Sequence, residues 1–446
     1  MLRLAGLRFA VLAPLVALLP TPSLRFEVSA DIQELIGAAV GAPPALCVMA
    51  ARGIWQDGWG GRTDAPASPL PTPASFRARR DGRGSLSADD VQFLLQSLTT
   101  GDGCVREVAV RLVARTENEA ASTGLIARLG AADSALRLVA AMGLGLAEPQ
   151  SAVDPLLRAI RDVASGVRAN AVWALGRIGD GRAVRPVAGA LGDRTDVVRE
   201  AAAGALGRLD SSSVVPALVR VLRDDPVASV RRTAAWAIGQ LDARVASQEL
   251  SASLRNDKDP GVREMSAWAL GNGNVRSATP ALLTAARGDS DEAVRETAVW
   301  SIGQQGDNAA AAGLGQLLAT EKSARVRSTA AWALGQLDLT SAPKGLIDAL
   351  EDQDPNLRLT ASWALSEIGD EAAVPALRAA LSREQDARAR KAEVRALIHS
   401  GERAERLTEL LQDKDPQVRE AAIRGLAGHN RVDPWPWPQP RPRPFP

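Results

Sequence analysis

The stretch Val167–Asp180, which reads VRANAVWALGRIGD, decides the fold because variants of it return along most of the chain. Its first position recurs as an aliphatic residue at Val105, Leu136, Val167, Val198, Val230, Val262, Val294, Val326, Leu357, Ala389 and Val418. Successive positions lie 31 or 32 residues apart, except for a final spacing of 29. A fixed period of this length is typical of a repeat array in which each unit is a helical hairpin.

Each repeat is predicted to contain two helices. We number the first position of the stretch as offset 0. At about 100° per residue, offsets 0, 4, 7, 8 and 11 share one face of a helix, and they hold Val, Ala, Ala, Leu and Ile or Leu. The Gly179-Asp180-Gly181 segment ends this helix, Pro186 lies at the start of the next, and turns such as Asp259-Pro260 begin the following repeat. The sequence therefore predicts an all-α fold, a right-handed α-α superhelix of about 11 hairpins.

Arginine follows the first position in most repeats. The series is Arg106, Arg168, Arg199, Arg231, Arg263, Arg295, Arg327, Arg358 and Arg419. We expect each to pair with an acidic turn residue of its own or the adjacent repeat. A row of arginines could also bind anionic ligands, but the accompanying Asp residues favour structural pairing.

The complete stretch at 167–180, and the nearly complete one at 357–370, resemble the HEAT-like repeat first associated with phycobilin lyases. The resemblance covers residues 105–430. It implies an α-solenoid, but the family includes lyases, adaptor subunits and proteins of unassigned role, so it does not select a function.

The remaining segments suggest a domain order. Residues 1–30 resemble a signal peptide or leader, because arginines precede an apolar run from Phe9 to Leu19 that is too short to span a bilayer. Residues 31–56 are predicted to form a degenerate hairpin, 57–84 a flexible linker rich in Pro, Gly and Arg, and 85–432 the solenoid, with Ser85 as the first N-cap. The unit that begins at Ala389 is rich in charge, including Arg390 and Glu393, and is expected to be a solvated end.

The final residues, 433–446, alternate proline with other residues and predict an extended polyproline II tail. It could be an interaction segment or a terminal spacer. Its aromatic residues, Trp435, Trp437 and Phe445, favour interaction.

The chain has two cysteines, Cys47 and Cys104. They could pair if the protein is exported. Equivalent positions on stacked helices usually lie farther apart than a disulfide spans, which favours two buried, unpaired side chains.

A tryptophan recurs at offset 6, and an amide follows four residues later in most of these repeats. The tryptophans are Trp173, Trp236, Trp268, Trp300, Trp332 and Trp363, and the amides are Gln240, Asn272, Gln304 and Gln336. Offset 6 lies about 145° from the centre of the apolar arc, so these side chains could form a binding stripe. Alternatively, each Trp packs in the groove between successive helices and exposes only an edge.

The sequence singles out no catalytic residue, metal ligand or cofactor site. The only histidines, His399 and His429, lie in no zinc-ligand pattern, and no phosphate-binding loop or nucleophile motif is present. The 53 Lys and Arg balance the 52 Asp and Glu, which argues against nucleic acid as a partner.

We therefore expect a monomeric, non-catalytic scaffold that binds a protein or peptide along the Trp and amide stripe. Any membrane contact would be through the leader, and export to the periplasm or medium is favoured over the cytoplasm. The alternatives are a lyase-like, cofactor-handling enzyme or chaperone and a structural subunit of an envelope complex.

Overall fold

The computed structural model describes residues 29–43, 47, 86–116, 118–402 and 404–427. Nearly all of the predicted leader, the whole linker and the whole Pro-rich tail, with Trp435, Trp437 and Phe445, lie outside these residues.

Within the described residues, the fold consists of α-helices and short 3-10 turns without β-strands, which confirms the all-α helical solenoid. The helices are α1 Ser29–Ala39, α2 Ala88–Ser97, α3 Gly103–Ala114, α4 Glu119–Arg128, α5 Ser134–Ala147, α6 Val153–Ala159, α7 Ser165–Ile178, α8 Val184–Ala190, α9 Asp196–Leu206, α10 Val215–Asp224, α11 Ala228–Leu241, α12 Ser247–Asn256, α13 Pro260–Asn272, α14 Thr279–Gly288, α15 Glu292–Gln305, α16 Ala311–Thr320, α17 Ala324–Gln336, α18 Lys344–Asp348, α19 Pro355–Ile368, α20 Val374–Arg383, α21 Ala387–His399, α22 Ala404–Glu409 and α23 Pro416–Leu426. None of these helices combines the length and apolar character needed to cross a bilayer.

We call the odd-numbered helices from α3 to α23 the motif helices, because each carries one copy of the repeated stretch. The even-numbered helices from α2 to α22 are their partner helices. Each partner helix packs mainly against the motif helix that follows it, so the hairpins run from α2–α3 to α22–α23. The described residues divide into two compact units, one ending at Ala147 and the other beginning at Glu148.

In the first unit, α1 packs against α2 and α3. The Gly41 N–H, two residues after α1, donates to Oδ2 of Asp102, the N-cap of α3, at 2.8 Å. Cys47 and Cys104 form a disulfide with Cα atoms 5.6 Å apart, so our expectation of two unpaired thiols was wrong. The reason is that Cys47 lies against the first turn of α3, where Cys104 is located, and not at an equivalent position of a stacked helix.

Helix ends follow the turn chemistry of the sequence. Asp259, Asp354 and Asp415 cap motif helices that each begin with the next residue, a proline. Gly179 ends α7 in the left-handed region, at φ 76°, where glycine has no steric penalty. The N-cap of α2 is Ser87, which forms a capping box with Asp90, so the assignment of this cap to Ser85 was wrong.

The repeated arginine links consecutive turns of the second unit. Arg263, for example, donates from Nε and Nη2 to both carboxylate oxygens of Asp289 at 2.7 and 2.8 Å, while its Nη1 donates to the carbonyl of Asp257 at 2.9 Å. Asp289 Oδ1 also accepts from the backbone N–H of Asp291 at 2.9 Å. We call this arrangement the arginine rung, and it confirms the predicted Arg–Asp pairing with the adjacent repeat. Equivalent ion pairs are Arg168–Asp193, Arg199–Asp225, Arg231–Asp257, Arg295–Glu321, Arg327–Asp352, Arg358–Glu384 and Arg390–Asp413.

The rung sets the ionisation of the turn carboxylates. Burial on its own would raise the pKa of Asp289, but the hydrogen bonds from Arg263 and the Asp291 N–H, together with the charges of Arg263 and Arg295, hold that pKa below its ordinary value of 3.8. Hydrogen bonding to Asp289 in turn raises the pKa of Arg263. Both groups are therefore charged at neutral pH, in a site with little access to water.

Tryptophan and glycine form the contact between neighbouring motif helices. In four places of the described residues, the glycine at offset 9 of one repeat lies against the Trp at offset 6 of the next. A Cβ atom added at Gly303 would lie 2.6 Å from Cζ3 of Trp332, and one at Gly239 would lie 2.9 Å from Cζ3 of Trp268. Gly207 with Trp236 and Gly335 with Trp363 repeat this contact. We call it the Trp–Gly junction, and it requires a residue without a side chain because the indole occupies the space of a Cβ.

We predict that Gly303→Ala destabilises the protein by about 1–3 kcal/mol, because the added methyl group collides with Trp332 and with the α17 backbone. Gly288→Ala is the matched control, since no atom lies within 4 Å of its added Cβ, and it should leave stability unchanged or slightly increased. Urea unfolding of both variants checks this. Equal midpoints for the two variants would contradict the junction.

We predict that Arg263→Gln destabilises the protein by about 1–3 kcal/mol at neutral pH, because Asp289 loses its buried cationic partner. The control Arg223→Gln breaks the exposed Arg223–Asp224 pair and should change stability less than Arg263→Gln does, because solvent screens that pair. Because the pKa of Asp289 is depressed in the folded state, the rung contributes stability above pH 3.8 and loses it as pH falls through the folded pKa. The gap between wild type and Arg263→Gln should therefore shrink in acid, and a gap independent of pH would refute this explanation.

Candidate functional site

The four predicted amides lie at the C-terminal ends of successive motif helices, where the chain turns away from its neighbours. Gln240, Asn272, Gln304 and Gln336 are all exposed. They belong to α11, α13, α15 and α17, so one amide is presented per repeat. We call this set the amide row.

The members of the amide row differ in their contacts. Asn272 Nδ2 donates to the carbonyl of Gly239 in the preceding repeat at 3.0 Å and lies 3.5 Å from Oε1 of Gln240. Gln304 and Gln336 make no side-chain hydrogen bond to any residue that the structure describes. Their donors and acceptors are available to a ligand, and amides can pair with the N–H and C=O groups of a peptide backbone.

The tryptophans occupy a more interior position than the amides. Five of the six are buried, with 7–9 % of their surface exposed: Trp173, Trp236, Trp300, Trp332 and Trp363. Trp268, in the middle of the series, is half-buried. These values favour the packing alternative for most of the rings.

The burial of the tryptophans has a simple geometric reason. The apolar arc of a single helix describes contact with one neighbour, but an interior motif helix contacts its partner helix and two other motif helices. Offset 6 lies opposite the apolar arc and inside the groove shared with the preceding motif helix. Where the residue at offset 10 is Arg177, its guanidinium carbon lies over the Trp173 ring, 5.5 Å from its centre, so offset 10 covers the indole.

A polar network inside α13, α14 and α15 was missed by sequence reasoning. Gln305 is 2 % exposed and donates to the carbonyl of Leu270 at 3.2 Å, and Ser301 donates to that of Ala267 at 2.8 Å. Thr279 Oγ1 lies 3.2 Å from Oε1 of Gln305. Gln305 is at offset 11 and Ser301 at offset 7, positions that are apolar in most repeats, and this departure was the available signal. The network joins three helices directly beneath Gln304.

An open groove of about 400 Å³ lies at the N-terminal ends of α13 and α15. It exists because Gly261 and Ala293 present almost no side chain there. Arg232 and Arg325 line it together with Glu264, Asp291 and Glu292, so charges of both signs face the groove. The groove lies on the same motif helices as the amide row, at their opposite ends.

The described residues contain no group of three or more His, Cys, Asp or Glu side chains placed to hold a metal ion. His399 Nδ1 lies 2.6 Å from Oγ of Ser366, so this ring is engaged between α19 and α21. His429 lies outside the described residues.

The charged unit that begins at Ala389 is not simply solvated, which corrects our expectation. Arg390 is 9 % exposed, and Glu393 has no exposed surface. Arg390 pairs with Asp413 in an arginine rung, as its offset predicts, whereas Glu393 has no counterpart in the other repeats.

Several solved structures share the fold at low sequence identity. Importin beta, crystallised in an ammonium sulfate condition, aligns with a TM-score of 0.51 at 15% identity over 75% of this chain and 57% of its own. Kap121p bound to Ste12p aligns with a TM-score of 0.50 at 14% identity over 77% and 46% of the two chains. The Kap95:Nup1 complex gives 0.50 at 15% identity over 77% and 58%. This chain thus spans about half the length of those proteins, and the likeness shows the fold alone.

A search of curated protein sequences finds no match. A family model described as HEAT repeats matches residues 122–207, 187–271, 247–335 and 311–398, and a second HEAT-repeat model matches residues 405–428. The first set of matches runs without a gap from residue 122 to residue 398, which is more than half of the chain, and the protein therefore belongs to the HEAT-repeat family.

Proposed function

We propose that this HEAT-repeat protein is a scaffold that binds a protein or peptide along the motif-helix surface marked by the amide row. The observation that carries the proposal is the exposure of equivalent amides on four successive motif helices, from Gln240 to Gln336. An extended peptide needs regularly spaced hydrogen-bonding groups to be bound without a deep pocket, and the amide row supplies them.

The tryptophans have a supporting role in this proposal. Trp268 is the one half-buried ring of the series, so it offers the largest contact area at the centre of the row. Trp236, Trp332 and Trp363 hold their motif helices at fixed spacing through the Trp–Gly junctions, which helps to fix the distance between amides. A rigid array loses little entropy when it binds.

The comparison proteins are in keeping with this function. Two of the similar solenoids are seen with protein partners, Kap121p with Ste12p and Kap95 with Nup1. We extend only the general property, binding of a protein or peptide partner, to this chain.

We predict that the quadruple variant Gln240→Ala, Asn272→Ala, Gln304→Ala and Gln336→Ala loses its partner while the fold is retained. These side chains are exposed, so their removal should change stability by less than about 1 kcal/mol. Loss of several interfacial hydrogen bonds should weaken partner affinity at least tenfold.

The matched control is Gln248→Ala with Gln316→Ala, which removes exposed amides from partner helices. The full-length wild type, quadruple variant and control are used as baits in the native extract, and captured proteins are quantified by mass spectrometry. Proteins held by wild type and control but lost from the quadruple variant support the proposal. Equal retention by all three baits, or no selectively captured protein, would sink it.

Export of the protein is a further proposal, motivated by the leader-like residues 1–30 and supported by the Cys47–Cys104 disulfide. Disulfides persist in oxidising compartments and are rare in the cytosol.

We predict that the protein fractionates with the periplasm or medium, and that alkylation before reduction labels neither cysteine. The Cys47→Ser variant, which should label at Cys104, controls for access of the reagent. Recovery of full-length chain that retains Met1 in the cytosol, with both cysteines labelled, would defeat the export proposal.

The alternative functions stay predictions. A lyase-like or cofactor-handling role rests on the sequence resemblance, and neither His399 nor the mixed-charge groove adds an observation in its favour. Incubation of the purified protein with tetrapyrroles tests it by absorbance. A structural role in an envelope complex depends on the leader and on the tail with Trp435, Trp437 and Phe445, and membrane fractionation tests that role.

A further inference from the structure

Glu393 occupies a position that is small in every other repeat. It lies at offset 4, where the other motif helices have alanine or serine, as in Ala298, Ala330 and Ala361. In the same repeat, offset 0 is Ala389 in place of the usual Val or Leu. Offsets 0 and 4 share one face of the helix, so a smaller residue accompanies the larger one on that face. A carboxyl group therefore replaces a buried apolar group in the core of α21.

The carboxyl group of Glu393 has no hydrogen-bond partner. The residue has no exposed surface, and neither Oε1 nor Oε2 contacts a donor among the described residues. A carboxylate in such a place is strongly unfavourable, whereas the neutral acid is far less so. The site thus discriminates between the two protonation states.

Three nearby arginines compensate this charge only in part, because each is paired with another carboxylate. Arg358 of α19 donates to Glu384 at 2.5 and 2.8 Å. Arg390 of α21 pairs with Asp413. Arg383 of α20 pairs with Glu351 at 2.7 Å.

The remaining charges near α21 either oppose ionisation or are directed elsewhere. Glu384, in the turn before α21, repels a carboxylate at Glu393. On α23, Arg419 donates to the carbonyl of Asp413, and Arg424 pairs with Glu420 at 2.6 Å. Burial, followed by repulsion from Glu384, raises the pKa of Glu393 from 4.5 to about 8, against the smaller opposing effects of Arg358, Arg390 and Arg383.

We propose that Glu393 makes the packing of the C-terminal hairpins α20–α21 and α22–α23 sensitive to pH. The neutral carboxyl group lets the two hairpins pack with Glu393 buried. Its ionisation favours an open form in which Glu393 reaches water. This inference is independent of the partner-binding proposal. It concerns a local opening in which Glu393 reaches water while the other hairpins stay folded, as expected for an array whose units contact only their neighbours.

The direction of the pH dependence follows from the two ionisation states. The closed form keeps the proton up to about pH 8, whereas the open form releases it above about pH 4.5. Between about pH 4.5 and about pH 8, the equilibrium constant for opening should rise about tenfold per pH unit. Outside this range the equilibrium constant should not change with pH.

Hydrogen–deuterium exchange of the full chain from pH 5 to pH 9 tests the proposal. After division by the intrinsic exchange rate, the protection of α21 in the wild type should fall with rising pH by up to about tenfold per unit. Glu393→Gln, which cannot ionise, should show constant protection of α21. Glu420→Gln, which removes an exposed carboxylate from α23, should behave as wild type.

A second variant keeps the test decisive if Glu393→Gln does not fold. The pair Ala389→Val with Glu393→Ala restores the volumes of the other repeats and should also abolish the pH dependence. Wild-type protection that does not change with pH, or the same change in the wild type and in either Glu393 variant, would overturn the proposal.

Discussion

The second unit depends on a guanidinium that each motif helix from α7 to α21 holds between two turns. An arginine rung fixes the carbonyl of its own turn and the carboxylate of the next turn at once, so the position of one hairpin sets the position of its neighbour. The same carboxylate accepts a backbone N–H at the start of the following helix. Helix initiation and hairpin stacking are thus coupled in one group of atoms, and the Trp–Gly junctions and the amide row inherit their spacing from it.

Much of this organisation could be predicted from the sequence because it follows from local, repeated chemistry. The period predicts the helical hairpins, and the Asp-Pro turns predict where the motif helices begin. The arginine that follows the aliphatic first position predicts the arginine rungs. The tryptophans were harder, since a helical arc describes one contact face and an interior motif helix has three. Ser85 and Ser87 are both of a residue type that caps helices. The reciprocal hydrogen bonds with Asp90 identify Ser87 as the N-cap of α2.

Features that depend on a single departure from the repeat could not be placed in advance. The disulfide could not be predicted, because no periodic pattern indicates that Cys47 lies next to Cys104. Glu393 stands out in an alignment of the repeats, but the decisive fact is that Arg358, Arg383 and Arg390 serve other carboxylates. The four amides are exposed, but their role as a binding row stays a prediction, because the repeat pattern holds no information about the partner.

The Trp–Gly junction and the arginine rung share a property with an architectural consequence, since each joins residues one full period apart. Removal of one period, for instance the 32 residues from Val262 to Ala293, would bring Trp300 against Gly239 and Arg295 to the Asp257 carbonyl that Arg263 now holds. The fused ends would meet as the original ones do. Whole hairpins can therefore be gained or lost without a compensating mutation. Recombination between repeats can in this way change the number of amides in the row to match the length of a ligand.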